Sequence, residues 1–479
     1  MNTLITSNRS RYVLAALAVA AIIALAVLPG FLRERREQAF EGKARIRGSG
    51  LVSQEIINSP TFAPAKIPVR AGPGGYTPQL RLGFPVDNEW EPAIAADRNG
   101  HVYVLYPQYG GVPGCPTCYS PTMILQISND HGQTWASPTV IFPEGTNQYQ
   151  VDAQITVDPV DGQTVYASWL QNNKSDIVVA KSADFGASWS VVTASSSNAG
   201  QDKPILAVRG QDVYVVYDHT QTMWASISHD GGATFTSVKV NQNAKLGWSL
   251  AGGGTVTPDG GVYFAWSGYE GSGQAKGKVN LYISRSIDDG ATWTTKLLVV
   301  SSSPPDCSAF SCGWAFLGAQ LTLTSDAGGN LYALGNAGST PKGPERIYFW
   351  KSPDGGATWS AQQDVSTAPA GTHHAFPAIA AADPGVVRIS WMDARAAHGG
   401  MDRWNVYVRS STDGGSSWSS ETDISTFVAG FGYIFSNGFR FPFGDYFEMD
   451  IDEAGTTHLI WGEGYSYDSP GSIWYSQGK

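Results

Sequence analysis

Acidic and aromatic side chains flank one predicted hairpin near the end of the chain, at positions that could support acid–base chemistry. Asp445 and Tyr446 precede its first strand-like run, and Trp461 and Glu463 end its second. Hydrolysis of a glycosidic bond requires two carboxyl groups that flank the substrate, one as an acid and one as a base or nucleophile. Asp445, Tyr446 and Glu463 are therefore the first catalytic candidates.

Two further stretches could bind a ligand or join the same chemistry. The stretch Asn88-Glu89-Trp90-Glu91 carries two carboxylates, and Asp393-Ala394-Arg395 places a carboxylate beside a guanidinium group. Carboxylates, amides and aromatic rings together suit a sugar or a peptide ligand. Asp393 joins the catalytic candidates, and the predicted ligand-binding residues are Glu89, Glu91, Arg395, Arg403 and Trp461. The alternative for each is an ordinary rim residue with local hydrogen bonds.

A repeated motif indicates which elements must position these candidates. The pattern Ser-x-Asp-x-Gly-x-Thr/Ser-aromatic occurs six times, from residues 128–135 to residues 411–418. Its Asp can accept backbone hydrogen bonds and close a tight turn, and its Gly suits a positive φ. Each copy lies between strand-like runs, so we predict six β-hairpin corners in a repeat architecture. Their aspartates are Asp130, Asp184, Asp230, Asp288, Asp354 and Asp413.

The motif resembles the Asp-box, or BNR repeat, of the sialidase-type β-propellers. The resemblance covers roughly residues 78–479. It implies an all-β propeller, but little about activity, because Asp-boxes occur in sialidases, other glycosidases, sortilin-type receptors and a photosystem assembly factor. In those families the box lies on the face away from the active site. The resemblance therefore implies a structural role for the six aspartates.

A second repeat, made of two strands, predicts the number of blades. It occurs seven times, from residues 92–106 to residues 446–461, one copy more than the Asp-box. A propeller blade needs four strands, and only one more, at residues 472–476, follows the last copy. Residues 78–84 could supply the missing strand and cover the exposed edge. We predict seven blades, with six, the number in enzymatic sialidases, as the alternative.

The catalytic groups that the resemblance implies are only partly present. Sialidases hold a substrate carboxylate with three arginines and use a tyrosine nucleophile activated by a glutamate. Residues that could fill these roles are Arg395, Arg403, Arg440, Tyr446 and Glu463. The early Arg-Ile-Pro signature is missing, since the corresponding stretch is Arg81-Leu82-Gly83-Phe84-Pro85. We expect binding of a glycan or protein ligand without sialidase catalysis, with an exo-sialidase-like glycoside hydrolase as the alternative.

Composition limits the partners of the protein. The chain has 479 residues and a net charge of −10, and no basic run interrupts the repeat region. A nucleic-acid partner is therefore not expected, because phosphate binding requires clustered positive charge. We expect a monomeric propeller at residues 78–479 with no cofactor and no metal.

The N-terminal region differs from the rest of the chain. After a short tail (1–11), residues 12–32 contain an uncharged apolar run just long enough to span a bilayer, as an anchor or a signal segment. A linker at 33–77 follows. Its basic residues would place the propeller in the cytoplasm by the positive-inside rule. The cysteines favour an extracytoplasmic propeller, either membrane-anchored or secreted, and so does the usual location of the families that carry Asp-boxes.

Four cysteines form two local pairs, Cys115 with Cys118 and Cys307 with Cys312. In an exported protein, such pairs are typical of short disulfides. Four thiolates brought together by the fold would instead form a zinc site, which would suit a cytoplasmic protein. We predict two disulfides.

Overall fold

The computed structural model describes residues 73–142, 149–198, 200–219, 221–241, 246–271, 276–312, 315–396, 401–425 and 427–479. The predicted tail (1–11), the predicted anchor (12–32) and most of the linker (33–77) lie outside these residues. Within the described ranges, no helix is both long enough and apolar enough to cross a membrane.

Seven antiparallel sheets form the blades of a propeller, with strands numbered along the chain from β1 (Leu80–Arg81). Blade 1 contains β2 (Asn88–Glu89), β3 (Ala93–Ala96), β4 (Val102–Tyr109), β5 (Thr122–Ser128) and β6 (Thr139–Val140). Blade 2 contains β7 (Val151–Val157), β8 (Val165–Gln171), β9 (Asp176–Ser182) and β10 (Ser190–Ser196). Blade 3 contains β11 (Gln201–Arg209), β12 (Asp212–His219), β13 (Thr222–Ser228) and β14 (Thr236–Lys239). Blade 4 contains β15 (Trp248–Val256), β16 (Val262–Gly271), β17 (Lys276–Ser286) and β18 (Thr294–Ser301).

The remaining blades have the same order. Blade 5 contains β19 (Leu321–Ser325), β20 (Leu331–Ala337), β21 (Arg346–Ser352) and β22 (Gln363–Asp364). Blade 6 contains β23 (His374–Ala381), β24 (Val387–Asp393), β25 (Asn405–Ser411) and β26 (Thr422–Asp423). A hairpin of β27 (Ile434–Phe435) and β28 (Gly438–Phe439) precedes blade 7, which contains β29 (Phe441–Pro442), β30 (Glu448–Ile451), β31 (Thr457–Gly464) and β32 (Gly471–Gly478). Short 3-10 turns occupy Pro73–Gly75 and Ser308–Phe310.

The ring closes between the two ends of the described chain, as the strand count predicts. The strand β1 pairs antiparallel with β32, with Leu80 opposite Tyr475 and Arg81 opposite Trp474. It therefore supplies the outer strand of blade 7. The inner strands β3, β7, β11, β15, β19, β23 and β30 contact one another in sequence around the ring, and β30 contacts β3. The prediction of seven blades is confirmed, and the six-bladed alternative is wrong.

Each Asp-box connects the third strand of a blade to the fourth. In blade 3, Asp230 accepts hydrogen bonds from the hydroxyls of Ser228 (2.6 Å) and Thr234 (2.6 Å), and the Gly232 amide donates to Ser228 (2.9 Å). The other boxes repeat this network of side-chain and backbone bonds. Blade 7 has no such corner, because its fourth strand comes from the N-terminal side of the propeller. This explains why six boxes accompany seven blades.

The two cysteine pairs have different states. Cys115 and Cys118 form a disulfide, as predicted. Cys307 and Cys312 are both buried and are thiols rather than a disulfide, so the prediction of a second disulfide was wrong. The 3-10 turn between them carries Phe310, which stacks on Phe441 at 4.6 Å, and both thiols pack in this apolar cluster. The Cys115 pair packs in another cluster, so the four sulfur atoms do not form a zinc site.

Candidate functional site

Backbone irregularities at the start of the inner strands place charged side chains in the channel. The ladder register shifts between Val151 and Gln154 in blade 2, and between Asp202 and Ile205 in blade 3. Such bulges re-aim a side chain, and here they carry Asp152 (φ 58°) and Lys203 (φ 49°). Glu91, between β2 and β3, has the same left-handed backbone (φ 44°). Residues other than glycine adopt this conformation only rarely, so three neighbouring blades share an uncommon local structure.

Lys203 lies at the centre of a buried charge cluster contributed by four blades. Its ammonium Nζ is 2.7 Å from Asp445 Oδ2, 3.3 Å from Glu91 Oε1 and 3.4 Å from Asp152 Oδ1. It also lies 4.6 Å from the centre of the Tyr446 ring. These five residues are called the Lys203 cluster below. The four charged members are 1–6 % exposed, so they are buried inside the channel rather than on a solvated rim.

The charges of the Lys203 cluster do not cancel. Burial alone would lower the pKa of Lys203, but Asp152, Asp445 and Glu91 hold it well above its usual value. Burial likewise opposes ionisation of Asp152, yet Lys203 and Lys174 keep the pKa of that carboxyl below its usual range. One ammonium group therefore faces several carboxylates, and the end of the channel is electronegative.

Tyr446 does not have the environment of an activated nucleophile. Its hydroxyl donates to the backbone carbonyl of Ala153 at 2.9 Å. Burial and the nearby Glu91 raise the pKa of Tyr446 well above its usual value. Loss of the phenolic proton is therefore disfavoured.

The Lys203 cluster borders a cavity of about 180 Å³ in the central channel. Asp152, Lys203, Asp445 and Tyr446 line one part of it. The rest is lined by polar side chains such as Gln154 and Gln320, by the carboxyl groups of Glu448 and Asp450, and by aliphatic side chains. Asp445 is 6 % exposed, and its Oδ1 has no hydrogen-bond partner among the described residues. A buried carboxylate oxygen without a donor is costly. Asp445 therefore brings an acceptor without a donor to the wall of the cavity.

Glu89 and Glu463 have partners outside the Lys203 cluster. Glu89 pairs with Arg81 of the closing strand at 2.9 Å. Glu463 accepts a hydrogen bond from Gln79 at 3.3 Å and another from the indole of the buried Trp461 at 2.8 Å. The candidates of the first and last blades therefore divide into two groups. Glu91, Asp445 and Tyr446 lie at Lys203, whereas Glu89 and Glu463 lie near the closing strand.

Removal of the Glu463 carboxyl is expected to change the pH dependence of stability. Burial raises the pKa of Glu463 to about 8, so the folded protein holds this proton more tightly than the unfolded chain does. The associated stability is complete below the usual pKa near 4.5 and is lost as the pH rises through about 8. In Glu463→Gln, the decline of the unfolding free energy between about pH 5 and 9 should be shallower by up to about 1.4 kcal/mol per pH unit.

Urea denaturation over that pH range measures this slope. Asp383→Asn, at an exposed carboxylate in the turn after β23, is the control and should leave the slope unchanged. Equal slopes for wild type and Glu463→Gln would show that Glu463 has an ordinary pKa.

Comparison with known proteins identifies the family. Residues 78–316 match the family model of the BNR repeat-like domain, and this region contains four of the six Asp-box corners. The chain is a BNR-repeat β-propeller. A comparison with curated protein sequences gives no match.

Several solved structures resemble this BNR propeller at low identity. A PL25 ulvan lyase bound to -[GlcA(1-4)Rha3S]- is 12% identical with a TM-score of 0.50, over 82% of this chain and 95% of that one. The Hadza microbial sialidase Hz136 is 14% identical with a TM-score of 0.45, over 82% of this chain and 66% of that one, a little less than two thirds. A Dyadobacter fermentans protein of unknown function is 13% identical with a TM-score of 0.45, over 84% and 99%. At these identities the likeness concerns the fold alone.

The predicted arginines of the BNR propeller are engaged at separate places. Arg395 pairs with Asp393 at 2.6 Å and with Glu421, and its guanidinium lies 3.7 Å from the centre of the Tyr407 ring. Arg403 pairs with Asp402 at 3.1 Å.

The third arginine, Arg440, lies over the rings of Phe310 and Tyr465. None of the arginines among the described residues lines the channel cavity. The guanidinium cluster expected for a sialidase is therefore not assembled there.

Sequence reasoning missed the central role of Lys203. Its position at the start of an inner strand is visible in the two-strand repeat, and so is that of Asp152. The available signal was charge, since Lys203 introduces an ammonium group among strand starts rich in carboxylates. The bulges that turn these side chains inward are not apparent from the alternating pattern.

Proposed function

We propose that the BNR propeller binds a neutral sugar unit in its central channel, without sialidase catalysis. The observation that carries the proposal is the buried Oδ1 of Asp445, which lacks a hydrogen-bond donor at the cavity. An ionised carboxylate only accepts hydrogen bonds, so it selects a ligand with hydroxyl or ammonium donors. Hydrogen bonds to charged groups are among the stronger ones and would orient a sugar hydroxyl.

The charge balance supports a neutral ligand over an acidic one. The only basic side chain of the cavity lining is Lys203, among the described residues, and three carboxylates already surround it. A sialic acid carboxylate placed here would meet an excess of negative charge and no guanidinium group. A glycoside hydrolase with paired carboxylates remains the alternative, because Glu91, Asp152 and Asp445 lie together.

The size of the cavity supports a single unit rather than a chain. Pockets for drug-sized ligands occupy about 300–1,000 Å³, whereas this cavity measures about 180 Å³. We infer that one terminal sugar enters and that the rest of a glycan, or a carrier protein, lies outside.

Loss of the Asp445 charge is expected to weaken sugar binding. Asp445→Asn keeps the shape of the side chain, but replaces a charged acceptor with a neutral amide. We expect affinity to fall about tenfold or more, because a hydrogen bond to a charged group is worth about 1.5–3 kcal/mol. Calorimetric titration with a panel of neutral monosaccharides, and with sialic acid, measures this difference.

The matched control is Asp383→Asn, since Asp383 is exposed in the turn at the far end of its inner strand. It should bind the same sugars as wild type. Tighter binding of sialic acid than of every neutral sugar would contradict the proposal. Turnover of a fluorogenic glycoside that Asp445→Asn abolishes would favour the hydrolase.

We also propose that residues 12–32 tether the propeller to a membrane from the extracytoplasmic side, or direct its secretion. The Cys115–Cys118 disulfide supports an oxidising compartment. Fractionation of cells that express the full chain or a chain without residues 12–32 tests the segment. Equal recovery of both chains in the soluble cytoplasmic fraction would contradict it.

A further inference from the structure

Two turns meet across the ring closure on the face opposite the Lys203 cluster. One is the Asp-box of blade 1, which carries His131, and the other is the β30–β31 turn of blade 7, which carries Asp452 and Glu453. His131 Nδ1 is 3.1 Å from Asp452 Oδ2 and 3.7 Å from Glu453 Oε1. We propose that these three residues form a zinc-class divalent-cation site that joins blade 1 to blade 7.

The spacing of the donor atoms fits a zinc ion. Zinc binds histidine nitrogen and carboxylate oxygen at about 2.0–2.2 Å in tetrahedral geometry, which separates neighbouring ligand atoms by about 3.4 Å. The two distances from His131 lie on either side of that value, and all three ligand atoms lie within 4.8 Å of one another. An imidazole with two carboxylates also favours zinc over calcium, which prefers an all-oxygen set.

The carboxylate of Asp452, the central ligand, is held in place by hydrogen bonds from residues other than His131. Asp452 Oδ1 accepts the backbone N–H groups of Ala454 (3.0 Å) and Thr456 (2.7 Å). Its Oδ2 lies 3.2 Å from the ring of the buried His458, which in turn lies 2.7 Å from the Tyr475 hydroxyl. Outer partners of this kind orient a metal-binding carboxylate. Oδ2 therefore points to His131 before any ion binds.

The ligand side chains leave room for a bound ion. The side chains of His131 and Glu453 are 40 % and 34 % exposed, whereas that of Asp452 is 1 % exposed. An ion at this place would have solvent on its open side, and a water molecule could complete its coordination. The site is therefore accessible without opening the fold.

The residue type at position 131 is unusual among the Asp-boxes. The position between the Asp and the Gly has a positive φ in all six copies, and three copies have Gly there: Gly231, Gly355 and Gly414. Blade 1 has a histidine (φ 57°), in the one box that faces blade 7. The same position can therefore be returned to glycine with little effect on the corner.

Zinc binding to the full chain tests the proposal. After chelator treatment, the chain is titrated with zinc against a chromogenic zinc indicator, and its melting temperature is measured with zinc, with calcium and with EDTA. We expect one zinc ion per chain and a rise of a few degrees in melting temperature that EDTA reverses. Calcium should give no rise.

Two variants separate the site from general surface binding. His131→Gly, which restores the residue found in three other boxes, should weaken zinc binding at least tenfold and abolish the melting shift. His229→Ala is the control, because His229 is an exposed Asp-box histidine beside one carboxylate, Asp212, at 2.7 Å. It should bind zinc as wild type does. Absence of zinc binding to wild type, or equal binding by His131→Gly, would overturn the proposal.

Discussion

Replacement of Lys203 by methionine is expected to destabilise the propeller by about 3–5 kcal/mol, the usual cost of leaving buried charge without its partner. Methionine keeps most of the side-chain stem but removes the ammonium group. Glu91, Asp152 and Asp445 would then face one another in the channel, where they are 1–6 % exposed. They must take up protons or admit water, and either response costs free energy. Denaturation with urea at neutral pH measures the loss.

A lysine outside the Lys203 cluster provides the control. The ammonium group of Lys351 donates to the hydroxyl of the exposed Ser416 at 2.8 Å. Substitutions at such surface positions usually change the unfolding free energy by no more than about 0.5 kcal/mol. Lys351→Met should therefore lower the unfolding free energy far less than Lys203→Met. Equal losses would show that the Lys203 cluster is already hydrated and that its burial has little energetic consequence.

The architecture could be predicted because its signals are local. Each Asp-box closes its turn with its own residues, as Ser228, Asp230 and Thr234 do in blade 3. The number of blades could be predicted because the two-strand repeat occurs seven times, once more than the Asp-box. The closing strand followed from the same count, since a blade with three strands leaves an unpaired edge.

The candidate site could be predicted only in part, because it depends on contacts between blades. Glu91, Asp445 and Tyr446 are all candidates from the sequence, and they meet because blades 1 and 7 are neighbours. The separation of Glu463 from them depends on Gln79 and Trp461, which no local pattern relates to it. The thiol state of Cys307 and Cys312 is likewise not apparent from their spacing, which is typical of a short disulfide.

We expect a chain that begins at residue 86 to have a lower free energy of unfolding than one that begins at residue 73. The difference should be about 2–5 kcal/mol or more, because the loss of one buried leucine alone costs that much. The shorter chain lacks β1, which pairs with β32, and Leu82, which is 3 % exposed. It also lacks Arg81, the partner of the fully buried Glu89. The uncovered edge of β32 would then present unpaired backbone groups, which favour association between chains.

Chemical denaturation of both chains, with light scattering, measures the two effects. The chain from residue 73 retains every strand of the seven blades and should unfold in one cooperative transition. The chain from residue 86 should unfold at lower denaturant and scatter more light. Leu82→Ala in the longer chain should reproduce part of the loss without uncovering β32, which distinguishes burial from edge exposure. Equal midpoints for the two chains would show that the propeller closes through contacts between the inner strands β30 and β3, with the outer strand dispensable.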